Sequence, residues 1–97
     1  MDRDEVIGFL SAHRQELEER FLVRYLALFG STARGEAGPE SDVDLLVEFQ
    51  ETPGLTEYMR LKFWLEDHLG RPVDLVMPKA LKPWARPVVE AELIRVA

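Results

Sequence analysis

The stretch that decides the reading is LFGSTARGEAGPESDVDLLVEF, Leu28 to Phe49. An apolar run stops at Gly30 and Ser31, ten residues follow, and a second apolar run opens with Asp42 and Asp44 on either side of Val43. Successive residues of a strand face opposite ways, so side chains two apart share a face. Asp42 and Asp44 therefore project together, while Val43 and Leu45 point to the other side. Two adjacent carboxylates repel and raise one another's pKa, and burial adds to the cost unless positive charge compensates. A divalent cation compensates economically: magnesium prefers hard oxygen ligands and is commonly held by one or two carboxylates together with waters and substrate phosphates.

A third acid, Asp74, lies in a similar setting, RPVDLVM (residues 71–77). Two metal ions held partly by shared carboxylates assist an in-line displacement at phosphorus. The third carboxylate serves either that arrangement or as general base on an attacking hydroxyl. The competing explanation is a strand-end aspartate paired with Arg71 or Arg86. Gly30 and Ser31 supply a complementary element. Glycine lets a backbone approach phosphate without a Cβ in the way, and Ser31 adds a hydroxyl at the start of a helix whose first N–H groups are free. For both halves to meet one triphosphate, the first two strands must be antiparallel neighbours. The third must run parallel to the second across a helical crossover.

Upstream, residues 3–20 carry Val6, Leu10, His13 and Leu17 on one face of a helical period, with Asp2, Asp4 and Glu5 near its start, where the helix dipole favours negative charge. The first strand is expected over Phe21–Phe29, a short helix over Ser31–Ala37 with Ser31 as its cap, a turn at Gly38 and Pro39, and the second strand over Val43–Phe49. Thr52 and Pro53 are the expected cap and first residue of a helix ending at Leu69 before Gly70, burying Leu55, Tyr58, Leu61, Leu65 and Leu69. Phe63 and Trp64 fall off that face and are either extra core or a partner surface. A third strand, Pro72–Met77, precedes PKALKPWARP, and a closing helix over Pro87–Val96 packs through Val88, Val89, Leu93 and Ile94. The fold class is α+β: a small mixed β-sheet with flanking helices.

The 97 residues are expected to form one domain, 1–97, since halves would be too small to bury a core. A net charge of −6 disfavours a duplex nucleic-acid surface but suits a carboxylate metal site. Cysteine is absent, which excludes disulfides and thiolate zinc sites. No apolar run reaches 18 residues and MDRDEVIGFL has no signal-peptide core, so no membrane association and a cytoplasmic location are expected. The absence of asparagine is what either a thermophile or a biased genome produces.

Gly-Ser, ten residues, Asp-x-Asp and a later strand aspartate resemble the nucleotidyltransferase signature of the DNA polymerase β-like superfamily. The small size and the wording FGSTARGEAGPESDVDLLVEF…LGRPVDLVMPKALKP are similar to the MNT, or minimal nucleotidyltransferase, proteins. The resemblance implies a polymerase β-like core in which Gly30 and Ser31 hold the β- and γ-phosphates of ATP. It implies that Asp42 and Asp44 hold two Mg2+ ions, with Asp74 as a further ligand or as the base. Arg34 and Gly35 complete the GSxARG phrase; Arg34 either contacts phosphate or braces the loop by pairing with Glu40 or Asp42. Ser41 is expected to shape the turn. Lys79, Lys82 and Arg86 are either a solvated surface or a contact with nucleotide or acceptor.

The implied reaction is transfer of AMP from ATP to a hydroxyl with loss of pyrophosphate. No residues are left over for an acceptor-binding domain, so a separate protein acceptor is expected. MNT proteins resemble antitoxins that neutralise a helical HEPN ribonuclease toxin by adding AMP to a tyrosine. Two alternatives stand beside this: an antitoxin that neutralises only by binding, and a small-molecule nucleotidyltransferase of the aminoglycoside-modifying kind. Direct nucleic-acid binding is not expected, and self-association is compatible with the sequence.

Overall fold

The chain opens with a reciprocal cap. In the computed structural model, which describes residues 1–38 and 41–97, Glu5 donates its N–H to Asp2 Oδ1 at 2.9 Å and Asp2 donates its N–H to Glu5 Oε1 at 3.1 Å. Two N–H groups that a helix start leaves without partners are thereby satisfied. The helix expected over residues 3–20 is in fact two, α1 (Arg3–Ala12) and α2 (Arg14–Phe21). They meet at His13, whose Nδ1 lies 2.8 Å from the Phe9 carbonyl oxygen. The apolar stripe survives the break, with Val6, Leu10, Leu17 and Phe21 all buried. Leu22 adopts a left-handed conformation (φ 56°) that ends α2. The first strand therefore begins at Val23, two residues later than expected.

The sheet has the order β3-β2-β1-β4, with β1 spanning Val23–Phe29, β2 Val43–Phe49, β3 Val73–Val76 and β4 Ile94–Arg95. β1 and β2 are antiparallel and β2 and β3 parallel, the pairing that a shared phosphate site requires. β4 was not expected. The predicted closing helix is shorter, α5 (Arg86–Glu92), and Ile94 and Arg95 pair antiparallel with Leu28 and Ala27. A two-residue strand has no period to read. Its reason is tertiary: the outer edge of β1 has backbone groups that need partners. Val89 anchors α5, whereas Val88 is exposed.

The crossover is α4 (Leu55–Leu69), ended by Gly70 in the left-handed region (φ 67°) as predicted. Its start differs: Gly54 occupies the cap position without a side-chain bond, so Thr52 caps nothing and Leu55 is exposed. Trp64 takes the buried place instead, alongside Leu61, Leu65 and Leu69, while Phe63 faces solvent. These side chains pack with Val6, Leu10 and Leu17 against Val43, Leu45 and Val47 of β2. Full burial of such a side chain contributes about 1.5–3 kcal/mol before entropy is counted. α4 also fastens the edge strand: Tyr58 Oη donates to the Leu75 carbonyl, and Glu66 Oε2 accepts the Val73 N–H at 2.9 Å. A short 3-10 helix (Pro78–Ala80) follows β3, and α5 then packs on β1 and on the turn at Gly30. Among the described residues no helix is long and apolar enough to cross a membrane.

Candidate active site

The register of the sheet places the acids. Phe29, which precedes Gly30, pairs with Asp44 across β1 and β2, and Asp44 pairs with Asp74 across β2 and β3. Asp42 lies one residue before β2 on the same face as Asp44. Beneath them Val43 and Leu45 are wholly buried, so alternation along β2 drives the carboxylates outward. Asp44 is half-buried, and Asp42 and Asp74 are exposed.

Neither proposed partner of Asp74 reaches it. Arg71 is buried and donates to neutral oxygens: Nε to the Ser41 carbonyl at 2.9 Å, Nη1 to the Met1 carbonyl at 3.0 Å and Nη2 to Thr32 Oγ1 at 3.0 Å. Arg86 Nη2 donates to the Pro78 carbonyl at 3.2 Å. Among the described residues no ion pair includes any of the three aspartates. The electrostatic consequence falls on Asp44, whose carboxyl is pushed up to about 6. Burial is the main cause, followed by the charges of Asp74 and Asp42, with Arg34 offsetting part of the rise and Glu92 adding to it.

Gly30 stands directly against this group. Its φ is +74°, and a Cβ at this position would lie 2.1 Å from Asp44 Oδ2. Only glycine fits, on both grounds. The helix that follows is a single turn, α3 (Gly30–Ala33), rather than Ser31–Ala37. Phe29 holds the cap position with no side-chain bond, so Ser31 is not a cap. The turn is closed by the Arg34 N–H on the Gly30 carbonyl at 3.1 Å and the Glu36 N–H on the Ser31 carbonyl at 2.9 Å. Ser41 Oγ accepts the Gly38 N–H at 3.0 Å, the turn-shaping role expected of it.

Arg34 pairs with Glu36 (Nε to Oε2, 3.1 Å) and Glu92 (Nη1 to Oε1, 2.6 Å) rather than with Asp42. Glu40, its other expected partner, lies outside the described residues, as does Pro39 of the predicted turn. Glu92 is the residue that sequence reasoning missed. Its other oxygen, Oε2, accepts the Gly30 N–H at 3.0 Å. Arg34 and the Gly30 N–H together hold the Glu92 carboxyl below its usual range. No local signal marks Glu92; it is located only by the β1–β4 pairing. Lys79, Lys82 and Arg86 are exposed, and none pairs with the aspartates among the described residues.

The donor set can be tested against magnesium. Among the described residues no three His, Cys, Asp or Glu side chains form a ready-made metal cage. What the corner offers is hard oxygen donors on one face, short of positive charge, beside a turn whose backbone can come close to an anion. That chemistry suits an ion held jointly by protein carboxylates and substrate phosphates, the usual mode for Mg2+.

The model of the family described as "Nucleotidyltransferase domain" matches residues 10–96. Protein adenylyltransferase MntA of Thermococcus cleftensis is 46% identical over 93 residues, covering 96% of this chain and 94% of its own. A solved structure described as a minimal nucleotidyltransferase superimposes with a TM-score of 0.80 at 40% identity, covering 97% of this chain and 95% of the other. An MNT antitoxin and tri-AMPylated HEPN toxin complex from Shewanella oneidensis matches with a TM-score of 0.65 at 18% identity, over 94% of this chain and 71% of that one, a likeness of fold. The chain therefore belongs to the nucleotidyltransferase domain family, as one of its minimal members, and is a nucleotidyltransferase.

Proposed function

We propose that residues 1–97 act as one domain, in the cytoplasm, that transfers AMP from Mg-ATP to a tyrosine hydroxyl of a HEPN-type toxin and so serves as its antitoxin. The observation that carries this reading is the shared corner: Asp44 lies between Asp74 across one strand pair and Phe29-Gly30 across the other. The name of the Thermococcus relative and the AMP-bearing toxin beside the Shewanella neighbour support the choice of donor group and acceptor.

In this reading the turn at Gly30 and Ser31 receives the β- and γ-phosphates, with the Ser31 hydroxyl as a donor. Asp42 and Asp44 hold the metal side of the triphosphate, and bound Mg2+ supplies charge neutralisation at the phosphoryl oxygens. Asp74, exposed and free of ion pairs among the described residues, takes the proton of the attacking hydroxyl or shares the second ion. The hydroxyl oxygen bonds to the α-phosphorus, the bond to the bridging oxygen of the β-phosphate breaks, and pyrophosphate leaves. Holding both reactants in line supplies much of the rate. The carboxylates also suit a role that excludes polyanionic nucleic acid, in keeping with the net charge of −6.

The test is intact-mass spectrometry of the HEPN-type partner, purified with this chain, before and after Mg-ATP. Increments of one AMP on the partner, absent with Asp42→Asn/Asp44→Asn, are expected. A stable, neutralised complex without increments would replace enzymatic neutralisation with neutralisation by binding.

A further inference from the structure

The Gly30 turn is held from 62 residues away. Leu28 pairs with Ile94 and Ala27 with Arg95 in antiparallel register, which carries Glu92 opposite Gly30 just beyond the ladder. There one carboxylate joins both ends of the turn. Oε2 accepts the Gly30 N–H at 3.0 Å, and Oε1 accepts from Arg34 Nη1 at 2.6 Å. The Glu92 side chain is 18% exposed and its bond to the Gly30 N–H is partly buried, whereas Arg34 is exposed.

We propose that Glu92 is a positioning residue for nucleotide: its carboxylate sets the Gly30–Arg34 turn in the conformation that receives the triphosphate. The proposal rests on the reading that this turn binds ATP. The Gly30 N–H is turned inward to Glu92, so the contribution of Gly30 to phosphate binding is its missing Cβ and its left-handed φ, and not its own N–H. The same carboxylate occupies the Arg34 guanidinium and keeps it beside the turn rather than over Asp42 or Asp44. The β1–β4 pairing thereby has a functional consequence: the last strand is the ruler that delivers Glu92.

The test uses the full chain, Glu92→Ala and Glu92→Gln. Amide exchange of Gly30 followed by NMR reads the clamp independently of any nucleotide, and calorimetric titration with Mg-ATP reads its consequence. Losing a charge-assisted bond at each end of the turn is expected to weaken Mg-ATP binding about tenfold in Glu92→Ala. Gly30 exchange should quicken in parallel. Glu92→Gln keeps an acceptor for the Gly30 N–H but not the charge on Arg34, so it should fall between the two. Faster Gly30 exchange and a lower melting midpoint with unchanged Mg-ATP affinity would make Glu92 a structural contact and overturn the proposal. Tighter Mg-ATP binding in Glu92→Ala would overturn it in the opposite sense, with Glu92 a competitor of phosphate. A parent protein with a protected Gly30 amide and no Mg-ATP binding would instead bring down the nucleotide reading on which the proposal stands.

Discussion

The two faces of β2 are made from alternate residues of one strand and obey opposite rules. On one face Val43, Leu45 and Val47 are wholly buried beneath α1, α2 and α4. On the other, Asp42 and Asp44 share an edge with Asp74, and no ion pair among the described residues neutralises them. The first face satisfies every physical preference of a folded chain. The second leaves Asp44 pushed up to about 6 by burial and by like charges. Stability is held on the first face, where apolar burial offsets the repulsion on the second; positive charge at the second would relieve that repulsion.

Substitutions on the two faces should therefore separate activity from stability. The largest effect is expected from Asp42→Asn/Asp44→Asn, a loss of AMP transfer of about a thousandfold with the fold intact. Single-turnover assays with circular dichroism check both halves of that statement. Leu45→Ala, one residue away on the buried face, should do the reverse. It costs about 2–5 kcal/mol in denaturant unfolding, while activity per folded molecule changes little. Gly30→Ala strikes the acidic face from the neighbouring strand, because its Cβ would fall 2.1 Å from Asp44 Oδ2 at a φ of +74°. It should cost about 1–3 kcal/mol of stability and also weaken Mg-ATP binding, read by unfolding and calorimetry. Ser31→Ala is the mildest. Loss of one donor should weaken Mg-ATP binding about threefold to tenfold, and an unchanged titration would assign phosphate binding to the backbone alone.

The clustering of the acids was legible because charges inside apolar strands are conspicuous. Asp42, Asp44 and Asp74 stand out against Val43, Leu45 and Leu75, and strand alternation fixes their common face. The antiparallel and parallel pairings were legible for a related reason: no other arrangement brings Gly30 and the acids together. What escaped depends on contacts distant in sequence. β4 is too short to carry a pattern, and Glu92 looks like any surface glutamate until β4 is paired with β1. The break at His13 leaves the apolar stripe undisturbed and so leaves no mark in it. Thr52 and Pro53 form a plausible helix start, yet the helix waits until Leu55, where packing of Tyr58, Leu61 and Trp64 sets its phase.

The most direct test of the account is the melting midpoint of the parent and of Asp44→Asn at pH 5 and pH 7.5, each with and without Mg-ATP. A carboxyl raised from 3.8 to about 6 binds its proton more tightly in the folded state. Its stabilisation is complete below about pH 4 and is lost as pH rises through about 6. Without ligand, Asp44→Asn should therefore exceed the parent at pH 7.5 by roughly 1 kcal/mol, allowing for solvent screening of a half-exposed group, and the advantage should shrink at pH 5. Mg-ATP should reverse the order at pH 7.5, raising the parent and leaving Asp44→Asn where it was. An Asp44→Asn protein that is less stable than the parent without ligand, and that Mg-ATP raises equally, would make this aspartate structural and contradict the account.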